Sequence, residues 1–186
     1  MVDYLGISKT SVSLRDFQFD SANGIIYFTN DNRYVYRWDV DAKELLDPIE
    51  VRGNLQKIVL WEEGRTIFAA QANTKRTNDA TSSRDNVHFI EQINIDTGET
   101  TRIRHKVDEE TGGTNDLVLT SEMRLIFSNF AVSGGDGQAW KLDLETGKIR
   151  ALNDLGFHSF NNDISSGSEL VASETREHIL YFDDTN

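Results

Sequence analysis

Two Asn-Asp pairs stand out among the residues of this sequence that could do chemistry. Asn115-Asp116 precedes the run L-V-L-T-S-E-M-R-L-I-F, and Asn162-Asp163 precedes I-S-S-G-S-E-L-V-A. Amide and carboxylate oxygens at the entry of a strand can ligate a hard cation or bond a sugar hydroxyl. The same side chains also bond neighbouring backbone groups in turns, so a purely structural role stands beside the functional one.

The elements that must position these pairs form an internal repeat. Four segments share a pattern of strand, tight turn, strand, polar loop, strand and second turn, which predicts repeated hairpins. The inner strands are predicted to begin near Asp16, Gln56, Asn115 and Asn162, and a third strand of the last repeat is predicted at Ile179–Phe182.

Turn residues support the hairpins. Glycine follows Asp-Thr at Gly98 and Glu-Thr at Gly147, where a hairpin needs a positive φ. Asn23-Gly24 predicts a two-residue type I′ turn. Three tryptophans, Trp38, Trp61 and Trp140, lie in strand patterns and are predicted to pack between repeats.

Each repeat spans roughly 40 to 60 residues and offers four strands, which is the size of a β-propeller blade. We therefore predict an all-β protein of a single domain, residues 1–186, with about four four-stranded blades. The blades are expected at about 16–51, 52–107, 113–152 and 158–186, with residues 1–15 as an outer closing strand. Four blades could close on themselves or belong to a larger ring. In the second case, open blade edges predict self-association.

The same motifs resemble a known family. The run from Phe19 that ends in R-W-D, then L-Q-K-I-V-L-W-E-E-G, T-N-D-L-V-L and F-N-N-D-I-S with H-I-L-Y-F-D, are similar in order to the senescence-marker-protein, gluconolactonase and luciferin-regenerating-enzyme family. The resemblance implies part of a six-bladed propeller with a divalent metal, calcium, at one mouth of the central channel. It also implies hydrolysis of a lactone or ester, with a lactone or sugar-like small molecule as ligand.

The resemblance also assigns site residues. It implies that Asn162 and Asp16 bind the metal, and that Asn115 contacts substrate, with Asp116 and Asp163 beside the two asparagines as further substrate-binding candidates. A family arginine is replaced by Gly113, and the family's later aspartate, which would serve as ligand and base, has no counterpart. The catalytic residues are therefore unknown. The alternative function is a non-catalytic propeller that binds a small ligand or protein at the channel mouth.

Composition narrows the partners. The net charge is -12, with 31 acidic against 19 basic residues, so nucleic acid and anionic membranes are repelled at long range. Absence of cysteine excludes disulfides and thiolate chemistry. No apolar stretch approaches the roughly 20 residues of a membrane span, and no signal-peptide pattern is visible. We expect a soluble protein, with the cytoplasm as the favoured compartment.

Overall fold

The computed structural model describes residues 14–30, 32–71, 87–106, 111–131, 139–152 and 169–182. Those residues form three four-stranded sheets and one two-stranded sheet, and every strand pairing is antiparallel. The part of the chain that the structure describes contains no helix long and apolar enough to cross a lipid bilayer. The predicted all-β propeller of about four blades is confirmed.

Each sheet is one blade, and it is built from strands that are consecutive in the sequence. Blade one consists of β1 (Asp16–Asp20), β2 (Ile25–Thr29), β3 (Tyr34–Asp39) and β4 (Glu44–Glu50). Blade two consists of β5 (Leu55–Trp61), β6 (Thr66–Gln71), β7 (Val87–Asn94) and β8 (Thr100–Lys106). Blade three consists of β9 (Thr111–Leu119), β10 (Arg124–Ala131), β11 (Ala139–Asp143) and β12 (Ile149–Ala151). Blade four is described as β13 (Glu169–Ala172) and β14 (Ile179–Phe182).

The blades pack face to face, and strand β6 is buried on both of its faces by the neighbouring blades. Every residue of β6 is buried, because alternate side chains enter two different cores. Ile67 and Ala69 face blade one, whereas Phe68 and Ala70 face blade three. Full burial of a side chain such as Phe68 contributes about 1.5–3 kcal/mol. A third core, which includes Val118, joins blades three and four.

Two of the three tryptophans take their predicted places. Trp140 is buried in the core between blades two and three, and Trp61 packs against that core while partly exposed. Trp38 is partly exposed and lies outside the three cores of the described residues.

The outer hairpins follow the prediction closely. Gly98 and Gly147 have φ of 74° and 67°, as the turn requires. Asn94 and Asp143 begin these turns, and each side chain accepts the backbone amide three residues later. An Asx side chain of this kind stabilises a turn by replacing a backbone acceptor.

The inner hairpins differ from the prediction. Four residues join β1 to β2, so Asn23-Gly24 does not form a two-residue type I′ turn. Of that pair only Gly24 has a positive φ, 67°. The inner turns of blades two, three and four place Arg65, Met123 and Arg176 in the left-handed region instead. The position of positive φ in the inner turn is therefore not reserved for glycine in these blades.

The predicted assignment of strands in blade four is wrong. β13, Glu169–Ala172, packs beside β9 and is the inner strand of the described blade, whereas Asn162, where this strand was predicted to begin, lies outside the described residues. β14, Ile179–Phe182, pairs with β13 and is the second strand, not the third. The turn between them contains Arg176.

Large apolar side chains remain exposed on the outer faces of the end blades. Phe17 and Phe19 are 58% and 50% exposed on β1, and Leu180 is 57% exposed on β14. Exposed apolar faces favour association. Self-association stays a prediction.

Candidate functional site

The four inner strands surround an axial cavity of about 370 Å³. β1, β5, β9 and β13 lie side by side around it, as the inner strands of successive blades do. Its lining includes apolar residues along the strands and charged residues at both ends. Among the lining residues are Asp16, Lys57, Leu60, Asp116, Val118, Val171 and Arg176.

Asp16 lies at the entry of β1 and bonds the next blade. One carboxylate oxygen, Oδ2, accepts the backbone amide of Ile58 on β5 at 2.9 Å. The other, Oδ1, accepts the amide of Phe17 at 2.9 Å. The side chain is partly exposed, so water reaches this contact. Asp16 therefore joins blade one to blade two at the mouth of the cavity.

Asp116 repeats this contact between blades three and four. Oδ2 accepts the amide of Leu170 on β13 at 2.6 Å, and Oδ1 accepts the amide of Leu117 at 2.8 Å. Asp116 is only 3% exposed. Asp16 pairs with Thr29 and Asp116 with Ser128 at matching positions of their sheets, so the two aspartates are equivalent in the repeat.

The corresponding position on blade two is a lysine. Lys57 directly precedes Ile58 on β5, as Asp116 directly precedes Leu117 on β9. The mouth thus carries Asp16, Lys57 and Asp116 in blade order, with charges of alternating sign. Neighbouring charges of opposite sign attract one another, and together they leave little net electrostatic potential at the cavity mouth.

The opposite end of the cavity is spanned by Arg176. Its Nη2 donates to the carbonyl oxygen of Leu60 on β5 at 3.3 Å, and its Nη1 lies 3.9 Å from Glu63 Oε2. Its own carbonyl oxygen accepts the amide of Ser121 on blade three at 3.1 Å. This one residue therefore connects blades two, three and four below the cavity.

A second charged group lies at that end, between blades one and two. Arg65 Nη1 donates to Asp20 Oδ2 at 2.8 Å, and Nη2 donates to Asp96 Oδ1 at 3.0 Å. Burial alone would raise the pKa of Asp20, but hydrogen bonds from Arg65 and Asn23 and the guanidinium charge together hold it below its usual range. Asp96 first, and then Asp20, raise the pKa of Arg65 above its usual value. The group is an ion pair that joins two blades.

The other predicted site residues are only partly located. Asn115 lies in β9, one residue before Asp116, but its side chain is outside the description. Asn162 and Asp163 lie outside the described residues. In the described ranges no three or more His, Asp or Glu side chains gather as metal ligands would. Metal binding by Asp16 and Asn162, and substrate binding by Asn115, Asp116 and Asp163, stay predictions.

Comparison with known proteins supports the fold alone. No protein-family model and no curated protein matches the sequence. Among solved structures, the chain is similar to the WD40 β-propeller domain of Doa1, with a TM-score of 0.60, 10% identity, and coverage of 91% of this chain and 47% of that one. It is also similar to U3-55K, with a TM-score of 0.54, 9% identity and coverage of 76% and 39%. The WD40 repeats of RRP9 match with a TM-score of 0.53, 9% identity and coverage of 75% and 38%.

The chain therefore spans less than half of the length of each of these solved propellers. Identities of 9–10% indicate a shared fold and nothing finer. The resemblance to the gluconolactonase family is supported only as far as the β-propeller.

Proposed function

We propose that this chain is a non-catalytic β-propeller that binds a ligand at the mouth of its axial cavity. The observation that carries the proposal is the use of the two inner-strand aspartates. Asp16 and Asp116 each accept two main-chain amides, one of them from the next blade. Each oxygen of both carboxylates thus accepts a main-chain amide, and one of the two bonds holds adjacent blades together around the cavity.

The lining favours a ligand of modest size. The Leu60 and Val118 side chains belong to the cores between blades, so the accessible lining combines Val171 with the charged Asp16 and Lys57 at the mouth. A cavity of about 370 Å³ with charged groups at its rim suits a small molecule or a single side chain of a protein partner. The likeness to WD40 domains agrees with a binding role, because propellers of one architecture serve many functions and lose catalysis without losing the fold.

The competing proposal is the metal-dependent lactonase that the sequence motifs imply. It requires Asn162 and Asp16 to hold a divalent metal, calcium by resemblance, with Asn115, Asp116 and Asp163 near enough to contact the substrate. A neutral amide oxygen holds calcium weakly unless several carboxylates share the site, because affinity follows the number of charged ligands. Binding that does not depend on calcium separates the two proposals.

An amide-detected NMR titration of the isotope-labelled chain tests the binding proposal. The probes are D-glucono-lactone and the N-acetyl amides of lysine, glutamate and leucine, each added with calcium chloride or with EDTA. We expect at least one probe to shift the amide signals of Leu117 and Leu170 in a saturable way, equally in both buffers. A calcium requirement, or no saturable shift with any probe, would contradict the proposal.

Two tryptophan variants locate the ligand. Val171→Trp introduces a large side chain at a position that lines the cavity, and we expect it to weaken binding. Leu180→Trp is the matched control, because Leu180 pairs with Val171 on β14, is also exposed and does not line the cavity. Equal weakening by both variants would place the ligand elsewhere.

A further inference from the structure

A second concave site lies on blade three, away from the axial cavity. Its volume is about 240 Å³, and its walls come from β10, β11, β12 and the hairpin between the last two strands. The residues that line it are Arg124, Lys141, Asp143, Thr146, Lys148 and Arg150. Four cationic side chains thus meet in one pocket of a chain whose net charge is -12.

Three of these four cations form no ion pair with the residues that the structure describes. Within the described ranges, Lys141, Lys148 and Arg150 take part in no salt bridge. Arg124 pairs with Glu122 on the surface. Four cations against one carboxylate leave the pocket with a net positive charge, which attracts an anion.

The one acidic residue of the pocket is engaged in the turn. Asp143 Oδ1 accepts both the backbone amide and the hydroxyl group of Thr146, each at 2.8 Å. These two bonds hold the pKa of Asp143 below its usual range, so it remains ionised. Its carboxylate therefore serves the hairpin, and the three unpaired cations stay available to a ligand.

The repeat supplies an internal comparison on the hairpin. Lys148 and Glu99 are equivalent, because the carbonyl oxygen of each accepts the amide of the residue that begins its turn, Asp143 or Asn94. The equivalent residue of blade one is Glu44, which pairs with Asp39. Two sister blades therefore carry glutamate where blade three carries lysine. The fold does not demand a cation there.

The strands give a similar result against blade two, whereas blade one carries one cation, Arg37 opposite Leu46, at these positions. Lys141 pairs with Arg150 across β11 and β12. The matching pair in blade two is Gln92 with Thr101, which is neutral. Blade three thus carries cations at positions that line one pocket, whereas blade two carries neutral or acidic residues at the equivalent positions. The hairpin therefore folds without cations at these positions.

We propose that this blade-three pocket, lined by Arg124, Lys141, Lys148 and Arg150, binds a phosphate monoester or free phosphate. A dianionic oxyanion is the ligand that several converging ammonium and guanidinium groups recognise best, since charge-assisted bonds to it are short and strong. The site is independent of the axial cavity, and its proposal does not rest on the ligand of that cavity.

The test is an amide-detected NMR titration of the whole chain at constant ionic strength with three probes. Inorganic phosphate represents a free ion, N-acetyl-phosphoserine methylamide represents a phosphorylated protein side chain, and N-acetyl-serine methylamide is the unphosphorylated control. We expect saturable shifts at Thr146 and Lys148 with phosphate-bearing probes only, weakening as salt is raised. Tighter binding of the phosphoserine probe would identify a protein-borne phosphate, and tighter binding of inorganic phosphate a free one.

The matched variant copies the sister blades. Lys148→Glu places in blade three the residue that blades one and two tolerate at Glu44 and Glu99, so the fold is expected to survive. We expect phosphate affinity to fall about tenfold or more, the effect of losing one charge-assisted contact and adding a repulsion. Arg104→Gln, an exposed arginine on the outer strand of blade two, should leave affinity unchanged. Equal binding of the unphosphorylated probe, no saturable shift, or unchanged affinity in Lys148→Glu would overturn the proposal.

Discussion

Replacing Asp116 with alanine removes the contact between the inner strands of blades three and four. Two buried amides, those of Leu117 and Leu170, lose their acceptor, at bond lengths of 2.8 and 2.6 Å in the native protein. Each buried amide left without a partner costs about 1–3 kcal/mol, so we expect a loss of about 2–6 kcal/mol in the free energy of unfolding. That is a large part of the roughly 5–15 kcal/mol typical of a folded protein. Asp116→Asn keeps one acceptor oxygen and should lose about half as much.

Urea unfolding at neutral pH and amide hydrogen exchange measure this effect. We expect exchange at Leu170 to accelerate more than exchange in blade one, because the lost bond holds β13. Asp16→Ala is the control at the equivalent but partly exposed position, where water can replace the carboxylate, and we expect a loss of about 1 kcal/mol. If Asp116→Ala changes stability by less than about 0.5 kcal/mol, the range of ordinary surface substitutions, and Leu170 remains protected, the bond between blades is not what holds β13.

Two further substitutions test other contacts of the fold. Arg65→Gln leaves the fully buried Asp20 without its cation, and we expect a loss of about 2–4 kcal/mol at neutral pH. The folded protein lowers the pKa of Asp20 from 3.8. The stabilisation is therefore present above about pH 4 and disappears as the pH falls through the pKa of the folded state. Acid titration should accordingly bring the stabilities of the native protein and the variant together. Arg33→Gln breaks an exposed ion pair and should cost less than about 0.5 kcal/mol; an equal loss from both variants would refute the buried pair. Gly64→Ala places a Cβ 2.0 Å from the indole ring three residues earlier, so we expect a loss of about 1–3 kcal/mol and altered tryptophan fluorescence. Gly98→Ala meets no atom within 4 Å and should show only the roughly 1 kcal/mol of a positive φ, so a greater loss at this control would contradict the packing argument.

The repeat could be predicted from sequence where local chemistry fixes the chain. Gly98 and Gly147 follow Asp-Thr and Glu-Thr, and no other residue type reaches their φ as easily, so the outer hairpins of blades two and three were predictable. The inner turns carry no such signal. Arg65, Met123 and Arg176 adopt positive φ there without being glycine, since packing of the blades over-determines the turn. The error in blade four arose for this reason, because no glycine marks the inner turn at Arg176 in the sequence.

The candidate site was less predictable, because the role of a carboxylate depends on what surrounds it. Asp16 and Asp116 were selected for their oxygens at strand entries; Asp16 does begin β1, whereas Asp116 is the sixth of the nine residues of β9. Their acceptance of amides from the next blade depends on the stagger between blades, which no local pattern encodes. The contact that Arg176 makes with Leu60 spans 116 residues of sequence and is equally invisible. Aligning the hairpins would have revealed Lys148 against Glu99, a signal that was present in the sequence.

Hydrolysis of D-glucono-lactone, followed with calcium chloride and with EDTA, tests most directly whether this propeller is non-catalytic. The chain, Asp16→Ala and Asp116→Asn are compared with buffer alone. We expect all three proteins to match the buffer rate under both conditions, because Asp16 and Asp116 hold adjacent blades together. Calcium-dependent turnover by the native chain that disappears in Asp16→Ala would contradict the account, and would establish Asp16 as a metal ligand of a working lactonase.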